Sequence, residues 1–462
     1  MKDSFRKLVT ISGVMGSGLL GLLPGESFAQ GDLVRGQEVP LTECSGWIME
    51  NSTAPAIESN AVYWFVQGLP AYPPGGHFRF RTGFPRARYM SWQNHDFLGF
   101  STALLADTDI VPDRGENPFL PNTPHVPESA YTVDLLDVPP EARPPKPPRP
   151  ANILYGGYRY DGGTTEYNSV AYRVYLPDPG TDSLGGIPQP DFYFVVDDPA
   201  KTSLEGIHEM CETMRKIQDA EKQALIAVAQ TTESLATRQD RPLSNIAKEE
   251  IGQRVIDGPS AAGGIPSPSA SDFNNDLARY RVVTPRPNGQ GVYYNAQTGY
   301  LQVFLSASRG EVTVMRFRAP SFPDTQGLQG IADDISGNEQ LRYWSLCMHD
   351  ATAGLPTTGC LYDAQTAQDG DGYVTVAFSN PESRPANATN WLPVASGPIP
   401  ALILRHMQPN PAFTEALLYY AGTNNDPAAI TAHMGEYFPL VTTCTKAEFE
   451  RDRCGLAPQG TR

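Results

Sequence analysis

Arg88-Tyr89-Met90-Ser91-Trp92-Gln93-Asn94-His95-Asp96 returns far down the chain as Arg342-Tyr343-Trp344-Ser345-Leu346-Cys347-Met348-His349-Asp350. Arg, Tyr, Ser, His and Asp recur in the same register. Each copy follows a second shared block, Arg79-Phe80-Arg81-Thr82-Gly83-Phe84-Pro85 and Arg316-Phe317-Arg318-Ala319-Pro320-Ser321-Phe322-Pro323. The chain reads as two related halves. The second departs from the first by an insertion, Asp324 to Leu341, before Arg342.

Within each repeat the period is two, the signature of a half-buried strand. Met90 and Trp92 share one face, as do Trp344, Leu346 and Met348, and these are core positions. Tyr89, Ser91 and His95 share the other face, as do Tyr343, Ser345 and His349. Phe78 and Phe80 alternate with Arg79 and Arg81 in the same way. Further β-rich runs are Ala61–Val66, Ile153–Tyr155, Val170–Leu176, Phe192–Val196, Tyr280–Val283, Tyr300–Leu305, Glu311–Phe317, Tyr373–Phe378 and Ala401–Arg405. With 42 Gly and 43 Pro and only 19% charged residues, the composition suits short strands joined by turns. A length of 462 residues calls for two domains. The expected fold is mostly β: two tandem antiparallel β-sandwich modules, jelly-roll-like, with a helical insertion between them.

The expected organisation is a signal peptide over 1–29, a first module over 30–200, a helical insertion and linker over 201–271, and a second module over 272–462. Lys2, Arg6 and Lys7 form a basic leader, an apolar run reaches Leu23, and Ser27-Phe28-Ala29 offers a cleavage site after Ala29. This predicts an exported protein, periplasmic or secreted. No later stretch has the length of a membrane helix. Thr202 and Glu205 have capping-box spacing, and Leu204, Ile207, Cys211, Met214, Ile217, Leu225 and Val228 form an apolar stripe, which predicts a helix over roughly 203–235 packed on its own sandwich. Pro139 to Pro150 reads as an extended polyproline run, either a stiff spacer or an excursion across the surface. A Gly/Pro/Ser-rich passage, 257–271, marks the boundary between halves, and the tail suggests a helix around 411–421.

Six cysteines in an exported chain point to disulfides. Proximity pairs Cys347 with Cys360 and Cys444 with Cys454, leaving Cys44 with Cys211 by elimination. No Cys-x-x-Cys spacing supports zinc. The net charge of −16 argues against nucleic acid and anionic membrane as electrostatic partners.

Gly83-Phe84-Pro85-Arg86-Ala87-Arg88-Tyr89-Met90-Ser91, with Ile110-Val111-Pro112-Asp113 and Asn117-Pro118-Phe119, resembles a block of exported bacterial proteins. Asn390-Trp391-Leu392-Pro393 followed by Leu402-Ile403-Leu404-Arg405 resembles the closing signature of a bacterial tandem domain-of-unknown-function family. The resemblance implies paired β-sandwich modules and export, and brings no catalytic assignment. The Pro-rich run and the helical insertion depart from it.

Three chemistries are open to these residues. Tyr89, Ser91, His95 and Asp96, and again His349 and Asp350 in the second copy, could form an acid–base or nucleophilic set for a hydrolase or lyase. Arg88, Arg342 and Tyr343 could hold a ligand, a carbohydrate or an apolar small molecule. Asp107, Asp109 and Asp113 could supply oxygens to calcium, although EF-hand spacing is absent. Against each stands a scaffold account: Arg88 pairing with a carboxylate, Tyr89 pinning a corner, Asp96 capping a turn. The tyrosines 155, 158, 160, 167, 172 and 175 serve either as a platform for sugars or as sandwich core. The expected function is binding of a ligand or partner, with the acid–base enzyme and a calcium-stabilised envelope component as alternatives.

Overall fold

The computed structural model describes residues 33–219 and 278–456, apart from short breaks at 42–43, 45–46, 51–57, 98, 145–150, 160, 285–292, 307–309, 352–356, 398 and 423–424. The leader, helix positions 220–235 and the 257–271 passage lie outside the described residues.

The first half contributes β1 (Glu38–Pro40), β2 (Ile48–Glu50), β3 (Ala61–Pro70), β4 (Gly76–Gly83), β5 (Ala87–His95), β6 (Ser101–Ala106), β7 (Ala130–Asp137), β8 (Ile153–Gly156), β9 (Tyr167–Pro177) and β10 (Asp191–Val196). The second contributes β11 (Ala278–Val283), β12 (Thr298–Leu305), β13 (Val312–Arg318), β14 (Leu341–Asp350), β15 (Thr357–Tyr362), β16 (Tyr373–Ser379), β17 (Asn390–Pro393), β18 (Pro400–Pro409) and β19 (Leu440–Cys444).

Sheet order repeats between the halves. The order β2-β3-β9-β5-β6 recurs as β11-β12-β18-β14-β15, and β10-β4-β7-β8 recurs as β19-β13-β16-β17. All neighbours are antiparallel except β7 with β8 and β16 with β17, parallel at the same place in both halves. Even the irregularity repeats: the register slips between Asn94 and His95 in β5 and between Met348 and His349 in β14. The fold is therefore mostly β, in two sandwich modules.

Each sandwich is closed by the faces that alternation selects. Met90 and Trp92 meet Phe78, Phe80, Tyr172 and Phe192 in the first core. Trp344, Leu346 and Met348 meet Phe317, Val376 and Leu404 in the second. Burying such side chains stabilises by roughly 1.5–3 kcal/mol each. Arg79 and Arg81 project outward from β4 to Glu38 and Asp134, as the period requires.

A helix, α1, runs over 204–219. Its cap is Ser203, whose Oγ accepts from Gly206 N at 3.0 Å, one residue later than the spacing of Thr202 and Glu205 suggests. Ile207, Cys211 and Met214 enter the first core, so the helix is part of that sandwich. The helix packs closely on β3: a Cβ on Gly68, where φ is +72°, would lie 2.8 Å from Ile217. All three disulfides join the expected partners, Cys44–Cys211, Cys347–Cys360 and Cys444–Cys454. The tail departs from expectation. A short 3-10 turn occupies Leu417–Tyr419, and helices form later, α2 (Pro427–Met434) and α3 (Lys446–Asp452), where Asp426 and Thr445 provide caps. Among the described residues, no helix is long and apolar enough to cross a membrane.

Candidate functional site

The outward faces of β5 and β14 do not meet solvent. They meet each other's modules. Arg88 of the first module forms a buried ion pair through Nη1 with Asp363 of the second. Arg342 of the second pairs through Nη1 with Asp107 Oδ2 of the first, at 3.1 Å. The two pairs are counterparts: each Arg is the second residue of a repeated strand, and each Asp begins a 3-10 turn just after β6 or β15. Each carboxylate also accepts the next residue's amide, Thr108 N and Ala364 N, at 2.7 Å. Such reciprocity, i to j and j to i, is the mark of an isologous interface, here within one chain. Burial pushes both carboxyls above their usual range, and the facing arginines oppose it.

Inside this ring lies an aromatic patch. Tyr89, Tyr175, Tyr343 and Met407 pack together across the seam, with Tyr175 ring centroids 5.4 Å from Tyr89 and 5.7 Å from Tyr343. Next come two more counterpart arginines. Arg173 stands opposite Ser91, and Arg405 stands opposite Ser345. Arg173 donates to Gln93 Oε1 at 2.7 Å and to the Tyr293 carbonyl of the other module at 2.9 Å. Arg405 pairs with Glu58 of the other module at 3.3 Å, and the Glu58 carboxylate also accepts from Ser345 Oγ. Each module thus sends a short segment, 58–61 or 293–297, across the other's seam sheet.

Tyr89, Ser91, His95, Asp96, Tyr343, Ser345 and His349 have 0% exposure, and that number decides their role. His95 sits 3.3 Å from the Ser169 carbonyl and 3.5 Å from Arg173 Nη2. Burial, then the Arg173 charge, holds its imidazole well below the ordinary range, so it stays neutral. Asp96 closes the turn after β5: its Oδ1 accepts Phe100 N at 2.9 Å. His349 meets Thr357 Oγ1 at 3.2 Å, and Asp350 lies against Gly397. Apart from half-buried Asp350, the residues of the acid–base set are enclosed by protein. Arg88, Arg342 and Tyr343, expected to hold a ligand, are all buried in the seam.

The calcium expectation also meets a different arrangement. Asp107 is engaged by Arg342, Asp109 is exposed, and Asp113 accepts from Thr132 at 2.6 Å. Among the described residues the three do not converge. Among the described residues, the one convergent donor set is Glu58 with Cys347 and Cys360, whose sulfurs are joined to each other. The tyrosine run divides by position. Tyr172 is core and Tyr175 seam, while Tyr155 lies under Arg143, whose guanidinium is 5.3 Å from its ring. Tyr158 stacks edge-on to Tyr72, and Tyr160 lies outside the described residues.

Glu58 and Asp363 were not singled out by the sequence. Asp363 had a legible signal, since it holds the place of Asp107 after the repeated strand. Glu58 had none. The sequence was equally silent about an open cleft of about 640 Å³ at the second module, between the end of β13 and the 324–341 insertion.

No family model matches the chain, and no curated protein matches it. Among solved structures, an uncharacterised protein from Burkholderia cenocepacia aligns with 86% of this chain and 79% of its own, at 12% identity and a TM-score of 0.45. The VPA0106 protein from Vibrio parahaemolyticus aligns with 86% of this chain and 92% of its own, at 13% identity and a TM-score of 0.33. Likenesses at this level carry no argument about what this chain does.

Proposed function

We propose that this chain is an exported binding protein, akin to the bacterial tandem domain-of-unknown-function proteins, in which two welded β-sandwiches present a surface to a ligand and the duplicated strands do no chemistry. The observation that carries this reading is the complete burial of His95, Asp96, Ser91 and His349. A general acid or base must reach its substrate's proton, and these groups face only protein. Their conspicuous repetition has a mechanical cause, because each copy must build the same half of a twofold seam. Three disulfides favour an oxidising compartment, in keeping with the leader-like N-terminus.

The test pairs activity with stability. The wild-type protein is run against ester, phosphoester, glycoside and lyase substrates beside His95→Gln and His349→Gln. The expected result is no turnover and a lowered urea midpoint in both variants. Turnover that vanishes in His95→Gln while the midpoint holds would refute the reading. Export is tested separately: the mature protein recovered from the cell envelope is expected to begin at Gln30.

A further inference from the structure

At one spot the seam does not repeat itself. Cys347 of β14 and Cys360 of β15 stand directly opposite in register, so both side chains leave the same face of the sheet, the one that meets the first module. Glu58 arrives there from the other module and brings Oε2 to 3.4 Å from Cys347 Sγ. One donor atom from each of the three residues lies within 4.8 Å of the other two. At the equivalent place in the first half, Gln93 stands opposite Leu104. The equivalent crossing residue is Asn295. Ala61 N bonds back to Glu58 O as Thr298 N bonds back to Asn295 O, and Leu176 N takes the Asn60 carbonyl as Gln408 N takes that of Gln297. Gln, Leu and Asn therefore suffice to build this part of the seam. The other half departs at all three places, to two sulfurs and a carboxylate.

A disulfide accounts for the two cysteines but not for the carboxylate. A disulfide sulfur has no hydrogen for Glu58 to accept. Nor does the seam arginine require an acid: Arg173, the counterpart of Arg405, is met by the neutral oxygens of Gln93 and Tyr293. Charge then selects an ion. Two thiolates and Glu58 carry three negative charges, and Arg405, 3.3 Å from Glu58 Oε2, carries one positive. A divalent cation makes the group neutral, which burial demands; a monovalent cation leaves it negative. Sulfur donors favour zinc and soft divalent ions over calcium and magnesium, which take oxygen.

We infer that Cys347, Cys360 and Glu58 form a redox-gated site for one zinc-class divalent cation, bridging the two modules. The disulfide is the closed form. A dithiol gives two electrons and two protons to the S–S bond, which breaks into two thiols while the dithiol becomes a disulfide. The cation then takes both Sγ atoms and a Glu58 oxygen, the two thiol protons leave to solvent, and water completes the coordination. Asn60 Nδ2, 3.1 Å from Oε1, and Ser345 Oγ, which donates to Oε2, orient the carboxylate. Cys347 is buried and Cys360 half-buried, so reductant and cation approach from the β15 side. Which form is present follows the thiol poise of the compartment.

The test is titration of the full chain with cadmium and zinc after reduction by dithiothreitol and anaerobic desalting, beside the untreated disulfide-bonded chain. Thiolate–cadmium charge-transfer absorption reads binding, cadmium NMR reads the ligand set, and tryptophan fluorescence reads the fold. The reduced chain is expected to hold one cation tightly, with mixed sulfur and oxygen ligation, and the disulfide form none. Cys360→Ser should abolish the tight site while leaving the thiols of the other two pairs as background. Glu58→Gln, which keeps both thiols, should weaken it about tenfold or more. A reduced chain that binds no more tightly than its Cys360→Ser variant overturns the inference. So does a wild-type resonance of all-sulfur ligation, or affinity that Glu58→Gln leaves unchanged, since either describes a bare thiol site. A reduced chain that unfolds and is not restored by zinc overturns it as well.

Discussion

Arg88→Met removes the cation from one of the two reciprocal seam pairs and keeps most of the side chain's bulk. Asp363 is then a buried carboxylate with no counter-charge. Breaking a buried pair from one side costs about 3–5 kcal/mol. The low end applies here, about 3 kcal/mol, because Asp363 keeps two amide donors, Trp344 N at 3.0 Å and Ala364 N at 2.7 Å. Asp363→Asn in the Arg88→Met background removes the stranded charge and retains an acceptor for both amides. The double variant is therefore expected to be more stable than Arg88→Met alone. Arg342→Met should repeat the loss, with Asp107→Asn as its rescue, because Asp107 likewise keeps Thr108 N. The assay is urea unfolding followed by tryptophan fluorescence. Trp92 reports the first core and Trp344 the second, so single-tryptophan versions read each module. In the wild type both reporters should move together. In Arg88→Met the midpoint should fall and the two reporters should separate. A loss below about 1 kcal/mol, or losses that simply add in the double variant, would refute the idea that these pairs weld the modules.

Three further outcomes are expected. Burial, then the His433 charge, holds His406 down at about 3, and His95 is likewise held low, so both are neutral in the fold and protonate near 6.5 once unfolded. The His406 contribution is complete above that pH and is lost as pH falls toward 3, by up to about 1.4 kcal/mol per unit, and His95 acts in the same direction; the urea midpoint should drop between pH 7 and 5, and His406→Gln should flatten the slope. Calcium chelation should leave the melting temperature unchanged, since Asp107 is committed to Arg342; a fall of several degrees would restore the metal reading. Cys211→Ser opens a disulfide that spans 167 residues and frees α1 from Cys44; a loss of about 2–5 kcal/mol is expected, read as a lower urea midpoint for the Trp92 signal, and an unchanged midpoint would show that the bridge does not hold the helix.

The two sandwiches were legible because alternation is a local signal. The parity of Met90 and Trp92 against Tyr89 and Ser91 is written in nine residues, and its recurrence 254 positions later fixes the repeat. The helix face and the disulfide partners were legible for similar reasons. The seam was not. Period two tells which side chains leave a sandwich, but not whether a second sandwich waits outside. A row of Tyr, Ser, Gln and His on an outer face then looks like a wet site. Arg88 and Asp363 are separated by 275 residues, and Asp107 resembled a metal ligand because its cation belongs to the other half. Thr202 outranked Ser203 as a cap only because its spacing to Glu205 was suggestive. The cleft depends on how an insertion lies across a strand end, which no periodicity encodes.

The reciprocal seam carries a history. Contacts that run from each half to the equivalent point on the other are what a symmetric pair of separate chains makes, and gene fusion would preserve them while tying the copies together. Halves joined in that way would no longer have to stay identical. One copy could acquire the stretch from Asp324 to Leu341 without imposing it on its twin. A symmetric ancestor would have carried any such hollow in duplicate; the fused descendant can keep one side as ballast and let the other specialise.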